Sequence, residues 1–300
     1  MDLLHENALK HPQKAAVVMA GGESITYEAL DRRATQVAHW LISVGLEPGD
    51  GIAMLMENHP GTFELWFGAR RAGLYYTPLS IHLTAREVAD ILDDCSAKLL
   101  FTTSKTASIG EQLRTTTATA AADIRHVDVD GPGNDPHSYQ AAIRAVPDGV
   151  ELPRRPLGRE FIYSSGTTGK PKGIRRPLVR HEDRFVLPEL EQRLRALFEL
   201  SRDTRYLHPS PLYHSTGRFN IRVIECGGTA VVMDKFDAEA ALDAIERYRI
   251  THSHWVPTMF IRILALPDEI RRHRNLASMR LTLHSAAPCP DNVKEHMIDW

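Results

Sequence analysis

The segment Tyr163-Ser164-Ser165-Gly166-Thr167-Thr168-Gly169-Lys170-Pro171-Lys172-Gly173 holds, after its tyrosine, only Ser, Thr, Gly, Lys and Pro, and it follows directly on the apolar pair Phe161-Ile162. Such a run builds no core. Its glycines let backbone N–H groups turn inward around an anion with no Cβ in the way, its hydroxyls add donors, and its lysines add positive charge. That is the chemistry of a polyphosphate cradle. The spacing is not that of the G-x-x-x-x-G-K-[ST] loop, because Gly166 and Gly169 stand three residues apart and Pro171 follows Lys170. Proline removes an N–H and clashes with a preceding turn, so no helix runs on from Lys170 and the phosphates cannot rest on a helix N-terminus. The bland alternative is a Gly/Ser/Thr-rich surface loop.

Further segments carry polar or small residues at the ends of β-rich runs: Pro209-Ser210-Pro211-Leu212-Tyr213-His214-Ser215, His252-Ser253-His254-Trp255-Val256-Pro257-Thr258-Met259 and His284-Ser285-Ala286-Ala287-Pro288. Together with the cradle, and in this order, they resemble the motifs of the AMP-forming acyl- and aryl-CoA synthetases, a superfamily that includes luciferases and peptide-synthetase adenylation domains. Thr26-Tyr27-Glu28-Ala29-Leu30 and Met56-Glu57-Asn58-His59-Pro60 are similar to N-terminal parts of the same family, so the resemblance covers nearly all 300 residues. Gly173-Ile174-Arg175-Arg176-Pro177-Leu178 and Ala286-Ala287-Pro288-Cys289-Pro290 look most like the bacterial fatty-acyl-CoA synthetases.

The resemblance implies a reaction in two halves. A carboxylate attacks the α-phosphate of ATP to give an acyl-adenylate, and coenzyme A then displaces AMP to give a thioester. It implies that Ser164, Ser165, Gly166, Thr167, Thr168, Gly169 and Lys170 hold the β- and γ-phosphates with Lys172 nearby, and that Thr167 is a hydroxyl ligand to Mg²⁺. Positioning and charge neutralisation supply most of the rate in such chemistry, which makes Lys170 a catalytic candidate. Adenine is expected on Ser285, Ala286, Ala287 and Pro288, and the acyl pocket against Tyr213, His214, Val256, Pro257 and Thr258. His214 is also the catalytic candidate at the thiol gate. The family's later motifs are missing: the Thr-Glu pair, the ribose-binding aspartate, the hinge and the small C-terminal domain with its adenylation lysine. The chain is therefore expected to be an incomplete N-terminal portion, inactive by itself.

Each of these residues has a competing reading. His214 also fits a structural strand-end histidine. His252 and His254 share one strand face and could ligate a metal, but no third ligand follows at fitting spacing, which leaves pocket-wall or packing roles. Arg175, Arg176, Arg180 and Arg184 suit either a solvated face or coenzyme A phosphates. Cys289 has no base positioned for it in sequence. The runner-up function is a non-catalytic nucleotide- or acyl-binding remnant. Amino-acid adenylation is disfavoured because Glu225 only loosely resembles the aspartate that selects an amino acid.

With 43% apolar residues in 300, the chain can bury a large core. Its net charge of −2, from 36 basic and 38 acidic side chains, gives no field that draws in nucleic acid. Cys95, Cys226 and Cys289 are odd in number and far apart, which reads as reduced thiols. No apolar run approaches the ~18 residues of a membrane span, and the acidic N-terminus lacks a signal-like apolar stretch, so a cytoplasmic location is expected. A homodimer is left open.

Short β-rich runs alternate with amphipathic helices, the pattern of an α/β fold with mainly parallel sheets covered by helices. Two lobes are expected at 1–146 and 159–300 with a proline-bearing link at 147–158. Thr84-Ala85-Arg86-Glu87 predicts a capping box. Leu190, Leu194, Leu197 and Phe198 predict the apolar face of a long helix. The last helix, with Asp291 as its cap, offers Val293, Met297 and Trp300 on a face that nothing later in the chain covers. That face predicts self-association.

Overall fold

A computed structural model describes residues 2–116, 124–131, 138–164 and 172–300. The chain opens with α1 (Leu3–Lys10), the hairpin β1 (Ala15–Met19) and β2 (Ser24–Thr26), and α2 (Tyr27–Ser43). Four β–α steps follow: β3 (Gly51–Leu55) with α3 (Gly61–Ala72), β4 (Tyr75–Leu79) with α4 (Ala85–Cys95), β5 (Ala97–Thr102) with α5 (Ala107–Thr116), and β6 (Arg125–Asp128) with α6 (Tyr139–Arg144). Then come β7 (Arg159–Glu160), β8 (Ile162–Ser164), β9 (Lys172–Ile174) and α7 (Glu189–Leu197). The remainder is β10 (Arg205–His208), α8 (Arg218–Glu225), β11 (Thr229–Val232), α9 (Ala238–Tyr248), β12 (His252–Trp255), α10 (Pro257–Leu264), α11 (Asp268–Arg272), β13 (Leu281–His284) and α12 (Asp291–Asp299). The chain divides into two compact units, residues 1–5 with 28–186 and residues 6–27 with 187–300.

The first unit is built on a parallel five-stranded sheet in the order β6-β5-β3-β4-β7. Its central strand β3 is buried at every position, which is why Ile52 to Leu55 reads as a continuous apolar run. Gly45, with φ +91°, lies just beyond the end of α2, a backbone conformation open to glycine. The expected capping box is present: Thr84 accepts from the Glu87 N–H, and the Glu87 carboxylate accepts from the Thr84 N–H at 2.8 Å. One ionic cluster is buried. Arg71 on α3 donates to both carboxylate oxygens of Asp2, at 2.8 and 2.9 Å, and to Asp31 on α2 at 2.6 Å.

The second unit has a six-stranded sheet in the order β13-β12-β10-β11-β1-β2, parallel except for β2. One face carries Leu207, Val231, Trp255 and the apolar sides of α9 and α10. On the other, Tyr206 packs with Phe219 and Val223 of α8. Tyr27 ties the hairpin to this unit, its hydroxyl donating to the carbonyls of Ile224 and Gly228 at 2.9 and 2.5 Å.

Two expectations are corrected here. α7 is nine residues long and has no buried residue; Leu190 and Leu197 are exposed. It is held by ion pairs instead, with Arg195 and Arg222 both on Glu191 and Arg195 also on Glu225 at 2.6 Å. The last helix has Asp291 as its first residue and Pro290 at the cap position. Its Val293 is buried, and Met297 and Trp300 pack on the same core as α9 and α10, with the Arg271 guanidinium over the Trp300 ring. The apolar face is covered by elements that precede it, so it gives no ground for self-association.

Candidate functional site

The cradle segment joins two antiparallel strands. β8 and β9 pair with Ser164 opposite Lys172, and a strand, not a helix, follows Pro171. That agrees with the constraint proline sets. Ser165, Gly166, Thr167, Thr168, Gly169 and Lys170 lie outside the described residues, as do the side chains of Ser164 and Lys172. The flanks are firmly packed. Phe161 stacks on Tyr163 with centroids 5.2 Å apart, and the Tyr163 hydroxyl donates to the Asp94 carboxylate. Arg175 donates to the Gly49 carbonyl at 2.9 Å and lies over the Tyr75 ring. Arg180 is exposed and paired with Asp183 and Glu182, as a solvated position would be.

The other candidates gather in the second unit. From β10 the chain goes to β11 on one side and returns to β12 on the other, so the strand order reverses between β10 and β12. In doubly wound sheets, ligands bind outside the carboxyl ends of the strands at such a point. His208 ends β10 and leads into Tyr213 and His214; Trp255 ends β12 and leads into Val256, Pro257 and Thr258; His284 ends β13 and leads into Ser285, Ala286, Ala287 and Pro288. All nine candidates of this unit therefore stand at one edge of one sheet.

Local geometry fixes each stretch. The His214 N–H donates to the Pro211 carbonyl at 3.2 Å, and the Gly217 N–H donates to the His214 carbonyl at 2.8 Å, folding 211–217 into successive turns. The Tyr213 and His214 rings are 4.7 Å apart, and His214 is exposed. Pro257 is the first residue of α10, where a missing N–H is harmless; it is buried while Thr258 is exposed. Val256 packs toward the α9–α10 core. Ser285 links two strand ends, its N–H donating to the Trp255 carbonyl at 3.1 Å and its Oγ lying 2.7 Å from His254 Nε2. Ala286, Ala287 and Pro288 form an exposed small-residue shelf, with Ala286 at φ +72°, a conformation that a side chain disfavours.

Gly217 makes this arrangement tight. A Cβ there would stand 2.0 Å from the Leu212 carbonyl oxygen, a backbone atom that cannot turn aside. Gly217→Ala should therefore displace the Tyr213–His214 stretch and destabilise the protein by about 1–3 kcal/mol. A lower urea midpoint checks this; a wild-type midpoint would show that the turn is not pinned.

The sequence reading missed a group of polar atoms beside these residues. His208 and Asn220 are both fully buried. Among the described residues His208 Nε2, Asn220 Oδ1, Thr216 Oγ1 and His254 Nδ1 have no hydrogen-bond partner. Burial first, and then the neighbouring His254 and His214, push His208 down to about 3 despite its bond to the Pro211 backbone. Burial, and then His284, lowers His254 as well. Both rings are neutral near pH 7. The available signal was a histidine ending a β-rich run and an asparagine in the first turn of the next helix, which reads equally as capping. His252 has both ring nitrogens engaged, by Thr251 Oγ1 at 2.7 Å and the Phe198 carbonyl at 2.9 Å.

The family profile described as AMP-binding enzyme matches residues 4–300. A feruloyl-CoA synthase from Amycolatopsis sp is 31% identical over 296 residues, covering 95% of this chain and 54% of that protein. The fatty acid–[acyl-carrier-protein] ligase ScoC of Streptomyces coeruleorubidus is 27% identical, covering 99% of this chain and 57% of that protein. The chain thus spans about half the length of these curated relatives. The N-terminal domain of FACL13 from Mycobacterium tuberculosis superposes with a TM-score of 0.83 at 23% identity, covering all of this chain and 73% of that one.

Proposed function

Because the chain belongs to the AMP-binding enzyme family, we propose that it serves the ATP-dependent activation of a hydrophobic carboxylic acid to an acyl-adenylate and then to a coenzyme A thioester. The observation that carries this reading is the cradle segment set between β8 and β9, in a chain whose other candidates share the carboxyl edge of one sheet. A carboxylate oxygen attacks the α-phosphorus and the bond to pyrophosphate breaks. The thiol sulfur of coenzyme A then attacks the acyl carbon, loses its proton, and AMP leaves.

In this reading Ser164, Ser165, Thr167, Thr168 and Lys170 bind the β- and γ-phosphates, and Lys170 offsets charge that builds up on them. Thr167 is assigned to Mg²⁺. The Ser285–Pro288 shelf takes adenine, where small side chains leave a planar base room. Tyr213, His214, Val256, Pro257 and Thr258 bound the acyl group, with His214 at the thiol's approach. Support for a hydrophobic acid comes from relatives named for ferulate and for fatty acid. A fatty acid is the narrower expectation from the sequence. Among the described residues no helix is long and apolar enough to cross a membrane.

The test is a panel of carboxylic acids offered with ATP and coenzyme A, following AMP release and, independently of turnover, the binding of each acid. Fatty or aryl acids should outrank amino acids. Preference for an amino acid would overturn the assignment.

A further inference from the structure

A cavity of about 370 Å³ lies in the second unit where β1, β10 and β11 begin, with Lys14, Arg202, Asp203 and Arg205 on its walls. Val18 and Val231, neighbours across the β1–β11 pairing, and Tyr248 at the end of α9 give it an apolar side. Its volume falls in the range of small-molecule sites. The acid-activating chemistry makes no use of this end of the sheet, because ligands of doubly wound sheets bind at the opposite, carboxyl edge.

The charge on the walls is unbalanced. Three cations stand with one carboxylate, an excess of two positive charges in a chain whose own net charge is −2. Elsewhere in this unit arginines find carboxylates: Arg195 meets Glu225 at 2.6 Å, Arg222 meets Glu191 at 2.9 Å and Arg274 meets Asp243 at 2.7 Å. Among the described residues, none of the three cations at the cavity forms such a pair. Lys14 donates instead to the carbonyls of Arg202 and, at 2.7 Å, Gly227, and Arg205 donates to the Tyr248 carbonyl at 3.0 Å. Those bonds fix the cations without neutralising them. Burial lowers the Lys14 ammonium from its ordinary value; Asp203 opposes this, and Arg205 and Arg202 add to it, so the four charges act on one another.

The chemistry of the walls selects the ligand. The planar fork of a guanidinium matches phosphate oxygens, and an ammonium adds a point charge. An excess of two positive charges suits a dianion better than a single carboxylate. The valine and tyrosine side gives an organic group somewhere to lie. We propose that this cavity is a second anion site, which takes a small phosphate monoester with an apolar body. Arg202 and Arg205 hold the phosphate beside Lys14, and the ester group rests against Val18, Val231 and Tyr248. The site is separate from the cradle, and its ligand is not the acid.

Calorimetric titration of the 300-residue protein with phenyl phosphate, inorganic phosphate and benzoate tests this. Phenyl phosphate should bind most tightly, at least about threefold tighter than inorganic phosphate, and its binding should weaken as salt is raised. Arg202→Ala and Arg205→Ala should each weaken it about five- to tenfold, since each removes a charge-assisted bond at a site open to solvent. Both side chains are exposed, so both variants should keep the wild-type urea midpoint. Lys170→Ala, which alters the cradle, should leave the affinity for phenyl phosphate unchanged. A loss in Lys170→Ala, with wild-type affinity in Arg202→Ala and Arg205→Ala, places the anion in the cradle and overturns the inference. Absent binding of phenyl phosphate, or binding no tighter than that of benzoate or inorganic phosphate, overturns it as well. Retention on phosphatidate vesicles without phenyl phosphate binding gives these charges to a lipid surface and overturns the small-molecule assignment. None of these readouts involves the acid or ATP, so the acid-activating function stands or falls separately.

Discussion

In an active version of the protein extended to the length of its relatives, Thr167→Ala and Lys170→Ala should each slow acid-dependent ATP–pyrophosphate exchange by about 10- to 150-fold. The reasoning is electrostatic. Each substitution removes one charge-assisted bond to a triphosphate, worth about 1.5–3 kcal/mol, and about 1.4 kcal/mol is a factor of ten. The Lys170 variant should also weaken ATP binding, since its charge acts on the bound nucleotide before the reaction begins. The Thr167 variant loses a donor or a metal ligand but no charge. Exchange at the wild-type rate with unchanged ATP affinity in both would remove the segment from the phosphate-binding role.

Arg71→Ala should have the largest effect on stability, about 3–5 kcal/mol, because it leaves Asp2 buried with its counter-charge gone. Asp2 and Arg71 are almost wholly inaccessible, and Asp31 supplies a second carboxylate to the same guanidinium. Burial alone would raise the Asp2 carboxyl. The Arg71 charge and hydrogen bonds outweigh it and hold the group well below the usual carboxylate range. A depressed carboxylate contributes stability that is fully present above its unfolded value, about 4, and is lost as pH falls toward the folded one. The wild type should therefore lose stability below about pH 4, and Arg71→Ala should be weakened already at pH 7. The check is the urea midpoint at both pH values; an unchanged midpoint for Arg71→Ala at pH 7 would show that the cluster is not a support of the fold.

Much of the fold could be read from local pattern. The buried run of β3, the Thr84–Glu87 box and the alternation of strands with helices follow from side-chain periodicity and capping chemistry. Pairing is another matter. Both sheets repeat one order, β6-β5-β3-β4 and β13-β12-β10-β11, yet nothing in the sequence reveals it. β1 lies beside β11, with Val17 opposite Ala230, across more than two hundred residues. The two misread helices show the same limit. Leu190 and Leu197 of α7 keep helical spacing but face solvent, while ion pairs through Glu191 hold the helix. The periodicity of α12 was read correctly, but its cover comes from elements earlier in the chain. The motifs single out Tyr213, His214, Val256–Thr258 and Ser285–Pro288, which the fold sets after the ends of β10, β12 and β13. That His208 Nε2 and Asn220 Oδ1 lack partners among the described residues is invisible without coordinates, because a residue's type does not say whether its partner is present.

The central claim is that one chain binds an acyl group and an adenosine phosphate side by side for joining. Titration calorimetry with a non-hydrolysable acyl-adenylate mimic, a dodecanoyl- or 4-hydroxycinnamoyl-sulfamoyl adenosine, tests this without requiring turnover. A protein built to hold the adenylate should bind one of these mimics at least about a hundredfold tighter than AMP or the free acid, because the second half binds as a tethered group. Affinity no greater than that of AMP alone would contradict the account.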